Sequence, residues 1–362
     1  MRKVLILGGY GNFGKRIAKA LTKKGVRVIV AGRNREKANR LACELLPAHT
    51  ETACFDVTND LRAQLETLKP AVVINTCGPF QTSNYNVANT CIERGVHYID
   101  LADGRAFVAG ITALDALAKQ HSVSVISGAS TVPGLSSAVI EYFKSDFFEI
   151  DSLRYGITPG QKAEKGLATT RAIMSYVGKP LKAFGGSDES VYGWQDIYRQ
   201  YYPELGPRWM ANCDIPDLDI FPIRYGIRSI QFSAGLELGF MHLVLWLLSW
   251  AVRLGVPINL PKYADAMLKI SNWFNGFGTA DGGMHVMLRG RDSKGDSIER
   301  CWFIIAKNGD GPQIPTIPAI ILAEKLVSGK FGQRGAMACV GLITLGEYMD
   351  ELKEFNISSY LI

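Results

Sequence analysis

Three side chains at and just past the end of one apolar strand could handle a proton: Tyr98, Asp100 and Asp103, within the stretch His97-Tyr98-Ile99-Asp100-Leu101-Ala102-Asp103-Gly104. Reducing a C=N or C=O bond requires one group to deliver a proton while a cofactor carries the hydride. Asp103 is the first choice because it falls in a loop past the end of a strand, whereas Tyr98 and Asp100 lie within it. An ordinary turn aspartate before Gly104 is the competing reading. Tyr85 is a further donor near the same cleft, and His97, at the wrong end of the strand, is expected to face away. No HExxH, GxSxG or paired metal ligands occur, so hydrolytic and metal chemistry are poorly supported and no metal is expected.

A cofactor site is suggested by the first fifteen residues, MRKVLILGGYGNFGK. The apolar run 4–7 reads as a buried strand, and Gly9, Gly11 and Gly14 follow it in GxGxxG spacing before a helical pattern. In that order the glycines allow a tight turn, close backbone approach to a pyrophosphate, and close helix–strand packing. The helix N-terminus offers free N–H groups to the phosphates. Gly9, Tyr10, Gly11, Asn12, Phe13 and Gly14 are therefore the expected cofactor contacts. After the second strand comes Arg33, where an NAD-binding site carries an acidic residue for the ribose. A guanidinium there, with Arg35 nearby, suits a 2′-phosphate, so NADP is expected in preference to NAD. Asn34 is the expected cap of the next helix. Asp56, with Val57, stands at the end of the third strand, where it either bonds the adenine or simply starts a turn. Cys77, Gly78 and Pro79 follow the fourth strand and would bring backbone near the ribose and nicotinamide.

These residues require a scaffold that presents successive strand ends along one edge. Strand and helix patterns alternate from residue 3 to 134, ending in 123–127 and Gly128-Ala129-Ser130-Thr131. That rhythm predicts an α/β fold with a parallel Rossmann-type sheet, whose Cys77, Asp100 and Gly128 loops line one cleft.

The ordered set GGYGNFG, VVINTCGPF, VHYIDLADG and SGASTVPGLSS resembles the saccharopine dehydrogenase superfamily of saccharopine reductase-like oxidoreductases. The resemblance covers about the first 145 residues. It implies an α+β substrate and dimerisation domain after the Rossmann domain, a homodimer, and a C-terminal segment that returns to the Rossmann domain. The expected divisions are 1–134, 135–312 and 313–362. The implied activity is hydride transfer between NADPH and an amino-acid-derived imine or aldehyde. A membrane-associated lipid or enoyl reductase and a non-catalytic NADP-binding regulator are the alternatives.

Beyond Asp151 the pattern changes. Leu153, Tyr155 and Ile157 alternate as in a half-buried strand, and 282–291 with 297–307 reads as a hairpin. Thr169 and Arg171 open a predicted helix that could hold a substrate carboxylate, joined by Arg224 and Arg208 if these converge. With Arg228, the last two lie in a segment rich in Trp, Tyr and Pro, readable as a pocket wall or an interface.

Residues 238–252 carry no charged side chain and are apolar all round. Such a helix is buried, packed at a dimer interface or in contact with lipid. Spanning a membrane takes about 20 apolar residues, more than this run supplies. Trp246, Trp250 and the basic flank keep peripheral membrane contact in play.

Length and composition agree with a two-domain globular chain of 362 residues. The net charge of +6 is spread without a basic block, which argues against nucleic acid as a partner. Seven cysteines without a CxxC pair read as reduced core thiols. The immediate start of the first strand leaves no room for a leader, so a cytoplasmic location is expected.

Overall fold

The computed structural model describes residues 2–182 and 190–362. Among them the strands in chain order are β1 Lys3–Leu7, β2 Arg27–Gly32, β3 Thr50–Cys54, β4 Val72–Asn75, β5 His97–Asp100, β6 Ser124–Ser127, β7 Glu149–Thr158, β8 Tyr198–Tyr202, β9 Gly206–Asn212, β10 Ser229–Leu236, β11 Gly282–Arg291, β12 Ser297–Ala306, β13 Gly335–Ala338 and β14 Ile357–Leu361. The chain divides into two compact units. One joins Met1–Ala138 to Gln313–Glu351, the other Val139–Pro312 to Leu352–Ile362.

The first unit is a parallel seven-stranded sheet in the order β13-β6-β5-β4-β1-β2-β3. Within it β1, β4 and β6 are buried almost throughout, as parallel strands covered on both faces must be. The helix Asn12–Lys23 buries Ile17, Ala18 and Leu21. The helix Ile317–Val327, nearly all of it buried, packs on β1, β4 and β5. The chain runs outward from β1 through β2 to β3, then restarts on the other side at β4. That reversal is the switch point at which such sheets bind ligands, beyond their carboxyl ends.

The second unit is a mixed sheet in the order β14-β12-β11-β7-β10-β9-β8. β7 and β10 are parallel, and the remaining pairs are antiparallel. β11 and β12 form the expected hairpin, closed by Asp292, whose Oδ1 accepts from Lys294 N at 2.8 Å and Asp296 N at 3.0 Å. The aromatic-rich segment read as a wall or an interface contains the β8–β9 hairpin and the helix Asp217–Tyr225. Helices Leu167–Tyr176, Gly239–Arg253 and Ala264–Trp273 contribute to a separate core with Met174, Trp194, Leu245 and Ala264.

The C-terminal segment behaves differently from the expectation at its end. Residues 313–351 lie in the nucleotide unit, where β13 extends the sheet beside β6, but 352–362 belong to the second unit. There β14 pairs with β12, Trp302 opposite Leu361 and Ala306 opposite Ile357. A five-residue edge strand has too little pattern to reveal its partner, which is chosen by a free sheet edge.

Candidate functional site

The glycine turn divides its work between packing and access. A Cβ on Gly9 would lie 2.9 Å from Val30 Cγ1 and 3.0 Å from Ile6 O, and one on Gly14 only 2.3 Å from Gly8 O. Both positions are filled by the fold itself. A Cβ on Gly11 would meet Gly8 O alone, at 3.0 Å, so the outer side of this exposed residue is open to a ligand. Gly11 caps the helix Asn12–Lys23 without a side-chain hydrogen bond, and the first turn contains no acidic residue. The N–H groups of Asn12, Phe13 and Gly14 therefore stand at a positive helix end with no carboxylate to repel a phosphate.

Tyr10 ties this turn to the next loop. Its hydroxyl accepts from Asn34 N at 2.9 Å, and a Cβ on Gly32 would lie 2.4 Å from its ring. Asn34 meanwhile caps the helix Arg35–Glu44 by accepting from Lys37 N at 2.9 Å. Arg33 is exposed between them, and neither Arg33 nor Arg35 has an ion-pair partner among the described residues. The Arg33 charge reaches both Asp56 and Cys77, which draws the ends of β2, β3 and β4 into one neighbourhood. Asp56 itself caps the helix Val57–Leu68, accepting from Thr58 N at 2.9 Å and Thr58 Oγ1 at 2.7 Å. Those bonds hold its carboxyl below the usual range. Of the two readings of Asp56, the structure displays the turn-starting one.

The fourth-strand loop abuts the glycine turn, since a Cβ on Gly8 would come within 2.6 Å of Thr76 Oγ1 and 3.1 Å of Cys77 Sγ. Cys77, Gly78 and Pro79 are exposed along this edge. Burial of the thiol itself pushes Cys77 up to about 11, so it is neutral at physiological pH. Asn75, which drew no attention in the sequence, organises the loop from below. Its Oδ1 accepts from Cys77 N at 3.0 Å and its Nδ2 donates to the Tyr98 hydroxyl at 3.1 Å. The signal available was a lone amide closing an apolar strand.

The three proton-transfer candidates separate by environment. Tyr98 is buried, with its ionisation held well above the ordinary value by burial. Asp100 is also wholly buried; its Oδ1 accepts from Ser127 Oγ, Gly128 N and Ala102 N at 2.8 to 3.0 Å. Burial raises it to about 6 against those bonds, and its Oδ2 has no partner. Asp100 thus clamps the end of β5 to the end of β6, a task concealed in sequence because Ser127 lies 27 residues away. Asp103 is only partly buried, and its Oδ1 accepts from Gln81 Nε2 at 3.0 Å. Burial raises its carboxyl above the ordinary value. Gly104 allows the close approach behind it, its Cβ position being 3.0 Å from Phe80 C and O. Tyr85 spends its hydroxyl on Phe107 O at 2.7 Å. His97 accepts from Ser124 N through Nδ1 at 2.9 Å, at the opposite end of β5.

In the second unit the arginines do not converge. Arg171 is exposed on the helix that begins at Leu167, close after β7, and Thr169 is exposed beside it. Arg208 reaches Glu237 at 3.5 Å. Glu237 also accepts from Gln161 N and Thr279 N, beyond the carboxyl ends of β7 and β10. Arg228 pairs with Glu149 and Asp151, at the start of β7, and Arg224 is exposed on the helix leading into β10. Arg224 and Arg208 are thus separated by the length of the strands, which for eight to ten residues is about 25 to 30 Å. No group of three or more potential metal ligands occurs among the described residues.

A doubly wound sheet, a glycine turn with one open side and an unpaired arginine after β2 define a dinucleotide-binding protein. Comparison with known proteins makes the class particular. Residues 4–128 match the saccharopine dehydrogenase NADP binding domain family. An uncharacterized oxidoreductase of Staphylococcus haemolyticus is 24% identical over 199 residues, 51% of this chain and 83% of that protein. Apo saccharopine dehydrogenase (L-Glu forming) from Saccharomyces cerevisiae shares the fold over 100% of both chains, with a TM-score of 0.68 at 14% identity. Amine dehydrogenase from Mycobacterium smegmatis matches over 94% of each chain, with a TM-score of 0.50 at 11% identity. Residues 4–128 are thus a saccharopine dehydrogenase-type NADP-binding domain, and the chain as a whole shares the fold of saccharopine dehydrogenase.

Proposed function

We propose that this oxidoreductase uses NADPH to reduce the C=N or C=O bond of a small, amino-acid-derived imine or aldehyde. The observation that carries the reading is Asp103: a carboxyl at the sheet's carboxyl edge, partly open and raised in pKa by burial. The cofactor, when bound, supplies the hydride. Gly11 and the first-turn amides would hold its pyrophosphate, and Arg33 with Arg35 its 2′-phosphate. Asp103, whose pKa is raised by burial, donates in its acid form a proton to the nitrogen or oxygen of the reduced bond, while Gln81 fixes the orientation of its carboxyl. Asp100 holds the β5 and β6 loops in place and takes no proton from substrate. Thr169 and Arg171 are assigned to a substrate carboxylate; Arg224 is left out because it lies at the other end of the strands.

The test is NADPH oxidation with a panel of imines, aldehydes and enoyl esters. Turnover of an amino-acid-derived imine or aldehyde is expected, with Asp103→Asn lowering kcat by about 100- to 1,000-fold and leaving NADPH affinity intact. Because the acid form is required, kcat/KM falls as pH rises through the raised pKa of Asp103, and the variant loses that limb. Turnover confined to enoyl esters, or an Asp103→Asn enzyme of undiminished rate, overturns the assignment.

A further inference from the structure

The helix Gly239–Arg253 is inside out for a protein surrounded by water. Its inward side carries His242, Leu245 and Ser249, all buried, while Phe240, Val244, Leu247 and Trp250 face solvent. Phe240 is 50% exposed and Leu247 59%, at the spacing of one helical face. The stripe continues into the next helix and turn, where Trp273 and Phe277 are each 77% exposed. Phe240 joins the two parts through Phe274, ring centroids 5.1 Å apart, and Phe274 lies 6.3 Å from Phe277. A continuous apolar surface of this kind on a folded protein marks a docking face.

The charges around the face select its occupant. From residue 238 to 279 the sequence holds one carboxylate, Asp265, against Arg253, Lys262 and Lys269. Lys269 neutralises Asp265 at 2.7 Å, Arg253 packs over the rings of Tyr192 and Trp250, and Lys262 has no ion-pair partner among the described residues. Two copies joined through this face would bring like charges together with almost no carboxylate between them. An anionic surface supplies what the face lacks, and exposed Trp and Phe side chains beside basic residues suit the depth of lipid headgroups. No helix among the described residues is long and apolar enough to cross a membrane, so the contact is with one leaflet.

We infer that the face formed by Gly239–Arg253 and residues 264–277 docks on the surface of an anionic phospholipid membrane. The test is sedimentation of the full chain with vesicles of phosphatidylcholine containing phosphatidylglycerol, against vesicles of phosphatidylcholine alone. Binding to the anionic vesicles is expected, weakened by salt. The double variant Leu247→Glu, Trp273→Glu is expected to bind at least about tenfold less. Both side chains stand in solvent, so its thermal midpoint and NADPH affinity stay unchanged. Should that variant fail to fold, Lys262→Glu with Lys269→Glu provides the second test and is expected to lose the preference for anionic vesicles. Equal binding to both vesicle types, or none to either, overturns the inference. So does a dimer in analytical ultracentrifugation that Leu247→Glu, Trp273→Glu dissociates without any vesicle binding, which gives the face to a second copy.

Discussion

The two sheets treat neighbouring residues in opposite ways. In the first unit all strands run parallel, so every strand ends at the same edge and each following loop is delivered to one cleft. Gly11, Arg33, Cys77 and Asp103 span about ninety residues of sequence yet emerge along that edge. In the second unit β9 runs against β10, and β10 runs with β7. Arg208, Arg224 and Arg228 are separated by only twenty residues, and that reversal sends the first to one end of the strands and the others toward the opposite end. Proximity in sequence is thus a good guide in neither unit; strand direction is what decides.

The largest effect is expected where the parallel edge is most tightly built. Gly14→Ala would press a methyl group to 2.3 Å from Gly8 O, forcing apart the turn and the first helix. A loss of about 1 to 3 kcal/mol in stability is expected in thermal denaturation, with NADPH binding weakened beyond measurement by fluorescence titration. A well-folded variant that binds NADPH normally would break the idea that this edge depends on its glycines.

Arg33→Asp tests a single charge at the same edge. NADPH affinity should fall about 10- to 100-fold while NADH affinity holds or improves, because a carboxylate repels a 2′-phosphate and suits a ribose hydroxyl. An unchanged ratio of the two affinities would remove Arg33 from the site and point to Arg35 instead.

The smallest effect sharpens the contrast with the mixed sheet. Arg171→Met is expected to raise KM for a carboxylate-bearing substrate by about tenfold with kcat little changed, whereas Arg224→Met should alter neither. Equal effects of the two variants in steady-state kinetics would show that strand direction is a poor guide to which arginines serve the substrate.

Much of the nucleotide unit was legible because its signals are local. The apolar strands, the GxGxxG spacing, Asn34 as a cap and the loop after each strand are all set by residues within a few positions of one another. The clamp formed by Asp100, Ser127 and Gly128, and the bridge from Asn75 to Tyr98, join positions more than twenty residues apart and left no periodic trace. The β8–β9 hairpin was hidden for another reason: its strands are rich in Tyr, Arg and Trp and lack a clean apolar alternation.

By itself the sequence determined the order of elements from residue 3 to 134, the turn that suits a dinucleotide and the positive charge after β2, since backbone sterics, helix capping and hydrophobic periodicity act over short range. Tertiary structure decided which carboxylate stays open and which is buried. It also sent Ile357–Leu361 to β12 and turned the apolar side of Gly239–Arg253 outward. Burial and strand pairing depend on what packs across a distance in space, and one-dimensional spacing carries no record of that.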